Sequence, residues 1–215
     1  MSGKNSDPFN FASVLENELK KLESSDTVQP GEPPSIDLYM DQILTFLNSH
    51  LGGGNVHDED KTLTKTMINN YTKKKLLPAP DKKKYSKEHT YLLTLIYYFK
   101  NILSIEEIQT LITPLTTTFF EGSSSISIEE IYKEIYELEM AQKSNLEKDI
   151  KSKTDIAKHM FPSIDDSEQQ EYLRFLSIVS LLSFDVYMKK NIIENLIDSY
   201  NKDSNSPKSS EKKES

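Results

Sequence analysis

The chain has 215 residues, 36% of them hydrophobic, and a net charge of −8; with a mean hydropathy of −0.58 it holds core for one large or two small domains and leaves some length as solvated tail or linker. It contains no cysteine, which excludes disulfides, thiolate metal sites and cysteine nucleophiles. The residues after Met1 lack the apolar run of a signal peptide, and no stretch approaches the roughly 18 to 20 apolar residues of a spanning helix, so a cytoplasmic protein is expected.

The first predicted element is a short arm helix. Phe11, Val14, Leu15, Leu19 and Leu22 follow Asp7-Pro8 at helical spacing, and the breaker-rich stretch from Ser24 to Ser35 reads as a flexible linker. Leu38 to Leu51 is an amphipathic helix stopped by Gly52-Gly53-Gly54. A second helix is expected from Leu63 to Leu77, where Pro78-Ala79-Pro80 ends it because proline has no N–H to donate. Asp81 to Tyr85 is a short polar connection, and Ser86 caps a third helix whose Tyr91, Leu92, Leu95, Ile96 and Phe99 face inward. Asn101 is expected to end that helix in the left-handed conformation. Ser104-Ile105-Glu106-Glu107 is a capping box opening a fourth helix.

Thr113 to Ser125, with Pro114 and Gly122, reads as a linker. Beyond it Ser127-Ile128-Glu129-Glu130 caps a long helix with a seam at Ile128, Ile131, Ile135 and Leu138, ending near Phe161-Pro162. The last helix, about Asp165 to Tyr200, is apolar nearly all round between Tyr172 and Met188, which predicts burial. The expected organisation is an arm and linker over 1–35, a head over 36–113, a linker over 114–126, a helical domain over 127–201 and a disordered tail over 202–215.

Charge is sharply segregated along this plan. From Lys61 to Lys87 nine lysines face one acid, Asp81, so this window carries +8 and the remainder −16. Such a reversal is the electrostatic footprint of a polyanion-binding face. No HExxH, Ser-His-Asp or glycine-rich phosphate pattern occurs, and paired carboxylates such as Glu106-Glu107 are accounted for by helix caps, so neither an enzyme nor a cofactor is expected. His50, His57, Asp58 and Asp60 could in principle collect a metal, but the Gly52-Gly53-Gly54 loop makes that geometry loose and no metal is expected.

The run Met67-Ile68-Asn69-Asn70-Tyr71-Thr72-Lys73-Lys74-Lys75-Leu76-Leu77-Pro78, then Tyr85-Ser86, then Leu95-Ile96 and Ser104-Ile105-Glu106-Glu107-Ile108 resembles the DNA-binding head of MerR-type transcriptional regulators. More closely, Ile36 to Pro114 resembles an uncharacterised bacterial family, of unknown function, often labelled MerR-like. The resemblance implies an all-α protein: an N-terminal winged helix-turn-helix with a short wing, then a C-terminal helical domain for dimerisation or regulation. It departs from the MerR pattern where Asn69 replaces an arginine and Lys75 a glycine. The only arginine is Arg174, so bidentate arginine reading of guanine is not available in the head.

What the resemblance then implies is a regulator that binds double-stranded DNA in a sequence-specific manner as a homodimer. Lys65, Thr66, Asn69 and Asn70 are expected at or near bases, with Lys73, Lys74, Lys82, Lys83 and Lys84 on phosphates. Two other readings compete with it: a protein-interaction module that keeps the scaffold without DNA, and a membrane-surface protein using the arm and lysines.

Overall fold

The computed structural model describes residues 10–23, 27–51, 62–120 and 124–205. Among them the chain is mostly helical: α1 (Phe11–Glu23), β1 (Leu38–Tyr39), α2 (Met40–Leu51), α3 (Lys65–Lys73), β2 (Lys84–Tyr85), α4 (Lys87–Phe99), α5 (Ile105–Thr118), α6 (Ile128–Lys158) and α7 (Ser167–Asn205). β1 and β2 pair antiparallel, Leu38 opposite Tyr85 and Tyr39 opposite Lys84. No helix of the described residues is long and apolar enough to cross a membrane.

Local chemistry sets most helix starts. The Ser104–Glu107 and Ser127–Glu130 capping boxes both form, each serine accepting from the glutamate N–H while the carboxylate accepts from the serine N–H. Asp166 starts α7, its Oδ1 accepting from the N–H groups of Glu168 and Gln169 at 2.9 and 3.0 Å. α1 matches the expected arm helix.

Four helix ends and connections differ from expectation. α3 stops at Lys73 rather than running to Leu77. Lys75 takes φ +59°, the Leu76 N–H donates to Tyr71 O at 2.9 Å and the Lys75 N–H to Thr72 O at 3.1 Å, a Schellman ending that satisfies the last carbonyls before the prolines are reached. α4 ends without a left-handed Asn101; the Asn101 side-chain amide donates instead to Tyr97 O. α5 continues through Pro114 to Thr118, because packing of Ile112 and Leu115 into the core and a bond from Asn201 to Thr110 Oγ1 hold both sides of the lost backbone bond. The strap 27–37 is packed rather than loose, with Val28 fully buried and its carbonyl accepting from the Tyr132 hydroxyl at 2.6 Å.

The Schellman ending gives a direct stability test. A β-carbon in the left-handed region costs about 1–2 kcal/mol, of which glycine's extra chain entropy cancels part, so Lys75→Gly is expected to stabilise the protein by about 1 kcal/mol in urea unfolding. Destabilisation would mean that the Lys75 side chain holds a contact worth more than its strain.

One core runs from Val28 to Ile197. α4 is its centre, with Tyr91, Leu92, Leu93 and Ile96 fully buried, surrounded by α2, α3, α5 and the first turns of α6. The expected seam of α6 does not hold. Ile128 is buried but Leu138 is 68% exposed, and the inward face is Ile128, Tyr132 and Tyr136, because α6 packs on α4 there. The boundaries expected at 113 and 126 therefore do not separate two cores. A second small cluster, Phe11, Ala157 and Ile178, fixes α1 across α6 and α7, and the Phe11 N–H donates to Glu171 at 3.1 Å.

The stretch from Tyr172 to Met188 is not buried. Ile178 is, but Tyr172, Phe184, Val186 and Tyr187 are all about 60% exposed. An apolar-all-round helix needs cover on every side, and among the described residues the cover along this stretch comes from α6 and α1. The glycine loop, His57 to Asp60, Lys61 and residues 206–215 of the expected tail lie outside the described residues.

Candidate nucleic-acid interface

α3 is built to present one face. The Thr64 hydroxyl accepts from the Met67 N–H at 3.2 Å and starts the helix; Ile68 and Tyr71 then anchor it inward at 0% and 5% exposure. Helical periodicity leaves Thr66, Asn69, Asn70 and Lys73 on one outward stripe at i, i+3, i+4 and i+7, all exposed. Lys74 and Lys75 extend it past the helix end. Asn48 of α2 steadies the other end, its amide oxygen accepting from Leu63 N–H at 2.8 Å and its amide nitrogen donating to Leu63 O at 3.0 Å. Asn48 carries no local signal of this role, since its partner lies fifteen residues on.

The polar connection after α3 is a tight turn. The Lys84 N–H donates to Asp81 O at 2.7 Å, and Lys82 and Lys83 both have positive φ, +46° and +66°, the pattern of a type I′ hairpin turn, which normally goes to Asn-Gly. Lys82 and Lys83 are thereby held exposed at its tip. The next residue pairs with β1, so the turn is braced on the strand that opens α2.

The lysines do not all remain free for a polyanion. Lys84 is half-buried with its ammonium 5.3 Å from the Tyr39 ring centre, a cation–π contact that removes it from the expected phosphate set. Lys65 pairs with Asp41 at 2.5 Å on an exposed surface, which weakens its expected place at a base. Lys87, part of the +8 window, donates to Glu129 at 2.6 Å, and this bond raises its pKa. Tyr91 donates to the same carboxylate at 3.1 Å and accepts from Gly31 N–H, joining strap, α4 and α6.

His89 was not singled out by its sequence context, yet it holds the base of this turn. It is 4% exposed and stands edge-on to Tyr85 and Phe120. The Ser86 N–H donates to Nδ1 at 3.0 Å, so the neutral ring carries its proton on Nε2, which lies 3.2 Å from Pro78 O and donates to it. Burial lowers its pKa below the ordinary value, opposed by the Pro78 carbonyl. The unfolded chain therefore binds the proton more readily, so this contribution to stability is complete above about pH 6.5 and is lost as pH falls below it. Between pH 7.5 and 5.5 the wild type is expected to lose more stability than His89→Gln in urea unfolding, by up to about 1 kcal/mol. Equal losses would show that His89 is not the titrating group.

Among the described residues the His50 ring has partners of its own. Its Nδ1 faces Phe46 O at 2.8 Å and its Nε2 faces Glu32 at 3.7 Å. His57, Asp58 and Asp60 lie outside the described residues.

No curated protein and no solved structure matches the chain. Residues 28–135 match a family described as a domain of unknown function (DUF1836). The matched segment begins at Val28 and takes in Tyr132, the pair whose hydrogen bond closes the main core, and it contains α3 and the lysine turn. Since the match spans just over half of the 215 residues, the chain belongs to the DUF1836 family.

Proposed function

We propose that this protein is a sequence-specific, duplex-DNA-binding transcriptional regulator that acts as a homodimer, with a MerR-like winged helix-turn-helix in which α3 enters the major groove and the Lys82-Lys83 turn serves as a short wing. The observation that carries the reading is the outward stripe Thr66, Asn69, Asn70 and Lys73, continued by Lys74 and flanked by the exposed turn. In this arrangement the asparagine carboxamides pair with adenine N6 and N7, while the lysines hold phosphates and set the register. The backbone supports a charged role for the turn. Two lysines occupy left-handed positions where a β-carbon costs about 1–2 kcal/mol each, only part of which glycine's extra chain entropy would cancel. Asp41 is released from Lys65 when phosphate competes for the ammonium.

The test is selection from random duplex DNA, repeated across a salt series, with wild type and with Asn69→Ala/Asn70→Ala. An A·T-rich motif is expected for the wild type. The double variant is expected to lose about 1–3 kcal/mol of preference per bidentate contact while keeping its non-specific affinity. A G·C-rich motif, or the same motif enriched equally by the variant, would take these asparagines out of recognition. A wild type that shows no salt-dependent DNA binding would favour a protein-interaction module, for which the exposed face of α7 is the surface at hand.

A further inference from the structure

Tyr39 is an exposed aromatic held in a fixed place. Its side chain is 54% exposed, yet its backbone is pinned: it pairs with Lys84 in the two-stranded sheet, and its N–H donates to the Gln42 side chain at 2.8 Å. The Lys84 ammonium stands 5.3 Å from the ring centre and holds the ring in turn. Among the described residues the Tyr39 hydroxyl has no hydrogen-bond partner. A single exposed aromatic is ordinary on a protein surface; what distinguishes this one is where its neighbours lie.

Those neighbours belong to the two parts of the lysine face. On one side Tyr39 is opposite Lys84, the residue that follows Lys83 out of the tight turn. On the other, Asp41 two residues on reaches Lys65, the first residue of α3. Tyr39 therefore sits between the start of α3 and the base of the turn. When a helix lies in the major groove and a wing grips the flank beside it, the sugar–phosphate strand that edges the groove runs between the two. A phenol suits that strand, because it donates to a phosphate oxygen without bringing charge, and tyrosine is among the side chains that make such contacts. The Lys84 cation beside the ring favours an anion there, while the Asp41 carboxylate is occupied by Lys65. We propose that Tyr39 is a phosphate-contacting residue, its hydroxyl donating to the DNA strand that passes between α3 and the Lys82-Lys83 turn. This inference rests on the DNA-binding reading and adds to it a neutral contact, outside both α3 and the lysine cluster.

The test is anisotropy titration of the full chain, wild type and Tyr39→Phe, with two duplexes, the selected site and a random sequence, across a salt series. Tyr39→Phe is expected to bind both duplexes about tenfold more weakly, since it loses a hydrogen bond to a charged oxygen. The slope of log K against log salt should stay as it is, because a neutral hydroxyl displaces no counterion. The melting temperature should also stay, because the hydroxyl has no partner among the described residues. Equal affinity of the two proteins would take the hydroxyl off the DNA. A loss confined to the selected site would make Tyr39 a reader of bases, and a slope that falls with the affinity would mean that the ring acts through the lysines. Each of these three results overturns the proposal while the wild type still binds DNA, so the broader reading survives them. A wild type that binds neither duplex would sink that reading and this contact with it.

Discussion

Replacing Lys73, Lys74, Lys82 and Lys83 together with glutamate is expected to reduce affinity for any duplex by about a thousandfold at 0.15 M salt. Each phosphate contact contributes about 0.9 to the slope of log K against log salt, so four contacts remove about 3.6 from the slope and about three decades of affinity at that concentration. All four side chains are exposed, and none has an ion pair among those resolved in the structure, so the substitutions leave the core untouched. Lys84→Ala is the internal control. Its ammonium already lies over Tyr39, so it is expected to leave the slope nearly unchanged and to show a modest loss of stability instead. Anisotropy titrations at four salt concentrations check both. A quadruple variant with an unchanged slope would remove the α3 stripe and the turn from any DNA interface.

The second large effect is expected on α7. Tyr172, Leu176, Val179, Phe184 and Tyr187 lie on the side turned away from α6, each more than 40% exposed. Contiguous apolar surface of this kind is uncommon on monomers, and a second copy of the same helix supplies self-complementary cover. Leu176→Asp/Tyr187→Asp is expected to convert a dimer into a monomer in sedimentation velocity and to lower affinity for a two-fold operator by about a hundredfold or more, because the second head no longer binds at high effective concentration. Affinity for non-specific DNA per head should change little. A wild-type chain that sediments as a monomer at micromolar concentration would defeat the dimer, whatever the heads bind.

Features set within four residues of one another were legible in the sequence. The capping boxes at Ser104 and Ser127 form because donor and acceptor lie on the same turn. Helical spacing turned Tyr91, Leu92, Leu95 and Ile96 of α4 into the core, while Phe99, expected beside them, is only half-buried; on α3 the residues expected at bases, Thr66, Asn69 and Asn70, do stand outward with Lys73. The lysine window is likewise a property of composition along the chain.

What only the tertiary structure decided involves partners far apart in sequence. Lys84 is engaged because β1 brings Tyr39 beside it, and Lys87 because the start of α6 packs on α4 and places Glu129 within reach, forty-two residues away. Tyr132, rather than the isoleucine seam, became the inward face of α6 through a bond to Val28 a hundred and four residues earlier. Pro114 stays helical because α7 returns to α5 at Asn201, and Lys75 is left-handed because Leu76 and Leu77 must turn into the core. α7 shows the limit most plainly: its composition determined that the helix needs cover on all sides, but how much cover it receives depended on how many helices reach it, and among the described residues only α6 and α1 do along the stretch from Tyr172 to Met188.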